Sequence, residues 1–245
     1  GWRGALAGLG VINLLFGFFF WALWREPAGE TSSPDSPDLS SQEVRVALQV
    51  KSLFSVSFGT ALLLVGQMIL LTYVPLFLKE TMGISAYWAS QALALTQTGG
   101  MIGRIGWGVI SDRLFQGMRK IVLVLIGVLS VMLTLSLGLL PPAAPLFVLL
   151  PLIFLAGLCM VGYQGVSYAL IGEIAGKAQT GAALGIVITI NSLGAIFGTP
   201  FFGYLVDITG SYSIAWQLLA GAILVGILAL TFFLKEPKHG PKLTI

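Results

Sequence analysis

The stretch that decides the fold is Gly103–Lys120, GRIGWGVISDRLFQGMRK, a charged, glycine-punctuated segment between two long apolar runs. It holds Asp112-Arg113, Gly117 and Arg119-Lys120 in a chain whose charged residues are only 9% of the total. It also holds Arg104, eight residues ahead of Asp112 and so about 12 Å away along a helix rising 1.5 Å per residue. An ionised side chain at that depth in hydrocarbon is costly and marks a functional site by default.

Working outward from this segment, 56% of the 245 residues are apolar. A soluble domain would carry about 25% charged residues, so the chain is expected to be an integral membrane protein with the lipid bilayer as its first partner. Seven apolar runs, at about 4–24, 53–78, 87–110, 121–140, 146–170, 181–206 and 213–234, are each long enough to cross a bilayer as a helix. None shows the strict alternation of a membrane barrel, so the expected fold class is all-α with seven transmembrane helices. The formal net charge of +3 is spread over the junctions between runs, which argues against a nucleic-acid partner.

Those junctions set an orientation. Arg25, Arg45, Lys51, Arg113, Arg119, Lys120, Lys177, Lys235, Lys238 and Lys242 fall on one side, and only Arg3 and Lys79 on the other. The positive-inside rule then places the first side, with the C-terminus, in the cytoplasm of a multi-pass protein of the cell membrane. Glu26–Gln42, EPAGETSSPDSPDLSSQ, is too polar to bury a core and reads as a cytoplasmic linker. The expected organisation is a first helix at 1–25, a linker at 26–51, a six-helix domain at 52–236 and a tail at 237–245. His239 falls in that tail and reads as a solvated residue. The opening Gly-Trp-Arg, without an initiator Met, reads as the start of a fragment.

Gly108-x3-Asp112-Arg113-x3-Gly117-x-Arg119-Lys120 resembles the cytoplasmic loop signature of major facilitator superfamily transporters, which occurs once in each six-helix half. Two extra residues separate Arg113 from Gly117, a departure from the family pattern. The resemblance implies that the first span is like helix six of twelve and that the last six form the C-terminal half-bundle. It also implies a partner, the missing N-terminal half, and a small-molecule cargo moved by alternating access. Gly185-x8-Gly194-x3-Gly198-Thr-Pro200-x2-Gly203 is similar to the glycine-proline pattern of the fifth helix of many antiporters. Physically, those residues suit close helix packing and a bend.

Within that family frame, Asp112 implies a latch that docks on the partner half when the cytoplasmic side closes, with Arg113 and Glu173 completing the charge pairing. The alternative is that all three merely mark the membrane edge. Arg104 lies about where several anion porters of the family carry a substrate arginine, which implies a small organic or inorganic anion as cargo. A structural cation at the cavity wall is the competing reading. Gln67, Gln97, Gln164 and Asn191 lie near mid-depth with Thr98, Tyr163 and Tyr168 and are candidate cargo contacts; interhelical hydrogen bonding is the alternative for each.

Other classes fit less well. A sugar or drug porter of the same family stays open, and a heptahelical receptor shares the span count. A retinal protein needs a lysine inside the last span, yet Lys235 lies only at its edge. The lone Cys159, mid-span, cannot make the extracellular disulfide usual in receptors. No span holds a histidine, paired acids or a metal-ligand cluster, so neither an enzyme nor a cofactor or metal is expected.

Overall fold

The structure, a computed structural model, describes residues 2–23, 51–142, 144–176 and 179–234. The linker expected over 26–51 and the basic tail at 237–245 lie outside the described residues, apart from Lys51 at a helix start. Arg25, Arg45, Lys177, Lys235, Lys238, His239 and Lys242 lie outside them too. The chain divides into two units, Gly1–Leu39 and Ser40–Ile245. The first contains α1 (Trp2–Leu23), a single helix of mostly apolar residues. The second contains α2 (Lys51–Glu80), α3 (Ala86–Arg113), α4 (Arg119–Leu139), α5 (Leu146–Met160), α6 (Gln164–Ala175), α7 (Thr180–Thr209) and α8 (Tyr212–Phe233). Every described element is helical.

Among the described residues six stretches are long and apolar enough to cross a membrane: α1, α2, α4, α5 with α6, α7 and α8. The exception is α3, which is 28 residues long but diluted by Gln91, Gln97, Thr98, Arg104 and Asp112. A helix of spanning length that carries this much polarity needs a wet or protein-lined face rather than lipid all round.

In the second unit α3 packs on α5, α2 on α7 and α8, and α4 on α8. Its core is aliphatic, with Val56, Leu63, Leu70, Ile126, Ile153 and Ile223 fully enclosed. At one end an aromatic cluster joins α2, α7 and α8: Phe202 meets Tyr73 at a tilt and Trp216 edge-on, both at 4.9 Å between ring centroids. Nearby, the Tyr212 hydroxyl donates to Glu80 Oε2 at 2.7 Å.

The fifth apolar run is not one helix. It breaks at Val161–Tyr163, where the Gly157 carbonyl accepts from both Val161 N–H at 2.9 Å and Gly162 N–H at 3.2 Å. The break sits beside a close contact between helices. A Cβ at Gly99, Gly103 or Gly157 would collide with the carbonyl of Phe154, Leu158 or Thr96, so α3 and α5 touch backbone to backbone. Trp107 Nε1 fixes the register by donating to Leu158 C=O at 2.8 Å. Non-helical backbone at membrane depth is stable only where protein or a cavity covers it, and α3 covers this break.

The expected packing glycines of α7 behave unequally. A Cβ on Gly198 would stand 2.6 Å from Val65 Cγ1, one on Gly203 would strike the Tyr73 hydroxyl, and one on Gly194 would make ordinary contact with Ala61. Gly185 differs from that set, because among the described residues a Cβ there would meet nothing within 4 Å. It lies a helical stretch away from the α2 contact that seats the others. Pro200 stays inside a continuous α7, where it leaves the Ile196 carbonyl without its usual N–H partner.

Candidate functional site

At the Asp112 end, α3 terminates in a tight loop. Gln116 and Gly117 both adopt left-handed backbone, with φ of 54° and 83°. Gly117 N–H bonds back to Ser111 C=O at 2.8 Å, which satisfies a terminal carbonyl of α3. The reversal brings Arg119, the first residue of α4, against the end of α3. Arg119 Nη2 lies 3.4 Å from Asp112 Oδ1, and its Nε donates to Glu173 Oε1 at 2.5 Å. Arg113 makes no ion pair among the described residues, so the cation between the two expected acids is Arg119. Adjacent helical residues point about 100° apart, which is why Arg113 cannot share the face of Asp112.

Lys120 adds a second tie. Its Nζ donates to the Leu234 carbonyl at 2.6 Å and the Thr231 carbonyl at 2.9 Å, covering the C-terminal end of α8. A cation there complements both the unpaired carbonyls and the helix dipole.

The structure separates the polar residues expected at mid-depth into two groups. Arg104 and Gln97 are exposed on α3. Seven residues apart, they share one helical face about 10 Å from each other. Arg104 Nη2 donates to Gln164 Oε1 at 2.9 Å, joining α3 to the first residue of α6. Thr98 and Tyr168 are exposed as well.

The second group is enclosed. Asn191 is 5% exposed, and its Nδ2 donates to Thr60 Oγ1 at 3.1 Å. The Thr60 hydroxyl in turn donates to Val56 C=O at 2.7 Å. Tyr163, 2% exposed at the break, donates to the Thr60 carbonyl at 3.4 Å. One polar knot therefore joins α2, α7 and the start of α6. Gln67 is also 5% exposed, and its Oε1 has no hydrogen-bond partner among the described residues.

Arg119 and Thr60 are the members that sequence reasoning missed. Arg119 carried a signal, since it stands in the quoted loop. Thr60 carried none, because a threonine in an apolar run commonly bonds its own helix.

Comparison with known proteins finds a family for the chain. The family model described as Major Facilitator Superfamily matches residues 1–141 and 117–244. Monocarboxylate transporter 11 of Mus musculus is 29% identical over 92% of this chain and 51% of its own length. The probable sulfoacetate transporter SauU of Cupriavidus necator is 29% identical over 95% of this chain and 57% of its own. Among solved structures, the fucose:proton symporter FucP of E. coli superposes with a TM-score of 0.69 at 17% identity, covering 91% of this chain and 52% of that one. The chain thus spans about half the length of the curated relatives it matches.

Proposed function

The chain belongs to the Major Facilitator Superfamily, and on that footing we propose that its second unit is one cavity wall of a secondary transporter for small anions. The observation that carries this reading is Arg104, exposed on the least apolar helix and held by a neutral amide rather than an acid. A guanidinium with no counter-charge among the described residues is best stabilised by an anionic cargo, which it binds through paired N–H donors. The names of two relatives support the class, since monocarboxylate and sulfoacetate are both small anions.

In this proposal Arg104, Gln97 and Gln164 meet the cargo. Gln67, with its unpartnered carbonyl oxygen, is a further candidate on α2. Asn191 instead holds α7 to α2, because its amide is engaged with Thr60. The second unit rocks against another six-helix half about a site near the bilayer midplane, so that the cargo faces each side in turn. Asp112, Arg119 and Glu173 lie at the cytoplasmic edge of a multi-pass protein of the cell membrane, with the C-terminus inside. They form the charge-paired latch of that edge.

Uptake by the full-length transporter in proteoliposomes tests the class. Labelled acetate, lactate, oxalate and sulfoacetate are offered against a neutral hexose. Accumulation of one or more anions supports the reading; uptake of the hexose alone would remove it.

A further inference from the structure

Arg104 is held without being neutralised. Among the described residues it makes no ion pair, and its bond is to the side-chain oxygen of Gln164 at 2.9 Å. The described acids are engaged elsewhere or distant. Asp112 and Glu173 face Arg119, Glu80 accepts from Tyr212, and Asp207 lies at the far end of α7. The meeting of Arg104 with Gln164 is enforced by backbone. A Cβ at Gly165 would collide with the Arg104 carbonyl, so the first turn of α6 rests directly on α3 at this residue.

We propose that Gln164 is a charge-sparing positioning residue, one that fixes the Arg104 guanidinium while leaving its full positive charge to the cargo. This rests on the anion reading given above. A glutamate of the same length would hold Arg104 more tightly, since charge-assisted bonds are shorter and stronger. It would also occupy the cation with a built-in carboxylate, the very group a cargo anion must supply. Glutamine gives the geometry and withholds the charge. A guanidinium only donates, so the amide oxygen faces Arg104 and the amide NH2, itself a donor, is left to a second oxygen of the cargo.

The test compares Gln164→Glu with Gln164→Met, both near-isosteric, in the full-length transporter. The probe is whichever of acetate, lactate, oxalate and sulfoacetate the wild type takes up best. If Gln164 served only to brace the fold, Glu would keep the bond and stay close to wild type, while Met would be the worse variant. Charge sparing predicts the reverse order: KM raised about tenfold or more in Gln164→Glu with maximal rate little changed, and a smaller rise in Gln164→Met. A Gln164→Glu protein at wild-type KM overturns the proposal. If Arg104→Gln has meanwhile lost affinity, the anion reading stands without it; if Arg104→Gln is also unchanged, both fall, as they do if no anion is taken up. Should Gln164→Glu fail to reach the membrane, the exchange R104Q/Q164R keeps one cation and one amide in the pair. It should recover affinity lost in Arg104→Gln, and no recovery would count against the proposal.

Discussion

Arg119 donates through Nε to Glu173 Oε1 at 2.5 Å and so ties the first residue of α4 to the last turn of α6. Its other arm reaches Asp112 at 3.4 Å at the end of α3. One cation thus joins three helix termini, and its removal would leave two carboxylates facing each other across the loop.

The latch prediction follows from that geometry. A hydrogen bond to a charged group contributes about 1.5–3 kcal/mol, which corresponds to about tenfold or more in an equilibrium between closed and open states. Arg119→Gln should lower the uptake rate by about that factor while membrane insertion stays normal, and Asp112→Asn should act in the same direction. Arg113→Gln should be near wild type. Uptake by the three variants, normalised to the amount in the membrane, checks the order; a larger loss at Arg113 than at Arg119 would sink it.

The α3–α5 seam makes a stability prediction. Gly103 and Gly157 each face backbone, which cannot move aside as a flexible side chain can. Gly103→Val or Gly157→Val should destabilise by about 1–3 kcal/mol or more and lower the thermal midpoint of the protein in detergent. Gly185→Ala, whose Cβ enters open space, should leave the midpoint within error of wild type. Equal midpoints for all three would mean that the seam is not as tight as described.

Asn191 and Thr60 should behave as a packing pair. Interhelical hydrogen bonds in membranes average about 0.6 kcal/mol, with a maximum near about 1.7. Asn191→Leu and Thr60→Val should each cost stability of that order, and the double variant should cost less than the sum. A double-mutant cycle on thermal or denaturant unfolding measures the coupling. Purely additive losses together with a raised KM in Asn191→Leu would return Asn191 to the cargo site.

Lys120 should stabilise the end of α8. Its ammonium meets the Thr231 and Leu234 carbonyls, and a cation at a helix C-terminus contributes about 0.3–1 kcal/mol. Lys120→Gln should lower the unfolding midpoint slightly with no change in KM, and a shifted KM would give the lysine a role beyond the cap.

Much of the architecture was legible because hydrocarbon length imposes it. The apolar runs correspond closely to the helices, and the loop quoted first ends α3 and starts α4 as read. The break at Val161–Tyr163 was not legible, because it lies where Gly157 and Gly162 meet Thr96 and Gly103, residues remote in sequence. Position along the helix was readable for Arg104 and Asn191 alike, but that position does not give azimuth. Only packing shows that Arg104 faces outward from the bundle while Asn191 turns onto Thr60. Likewise Arg113 stood beside Asp112 in the sequence, yet the left-handed pair Gln116–Gly117 returned Arg119 to the acids instead. The pairing of Arg104 with Gln164 joins residues that were singled out separately, and nothing in their spacing connects them.

The central claim is that Arg104 binds an anion through an uncompensated charge. Affinity of the full-length transporter for its best-transported small carboxylate or sulfonate, titrated in wild type and Arg104→Gln, tests it most directly. The account predicts a loss of about tenfold or more in Arg104→Gln, with folding and insertion unchanged. Equal affinity in the two proteins would contradict it.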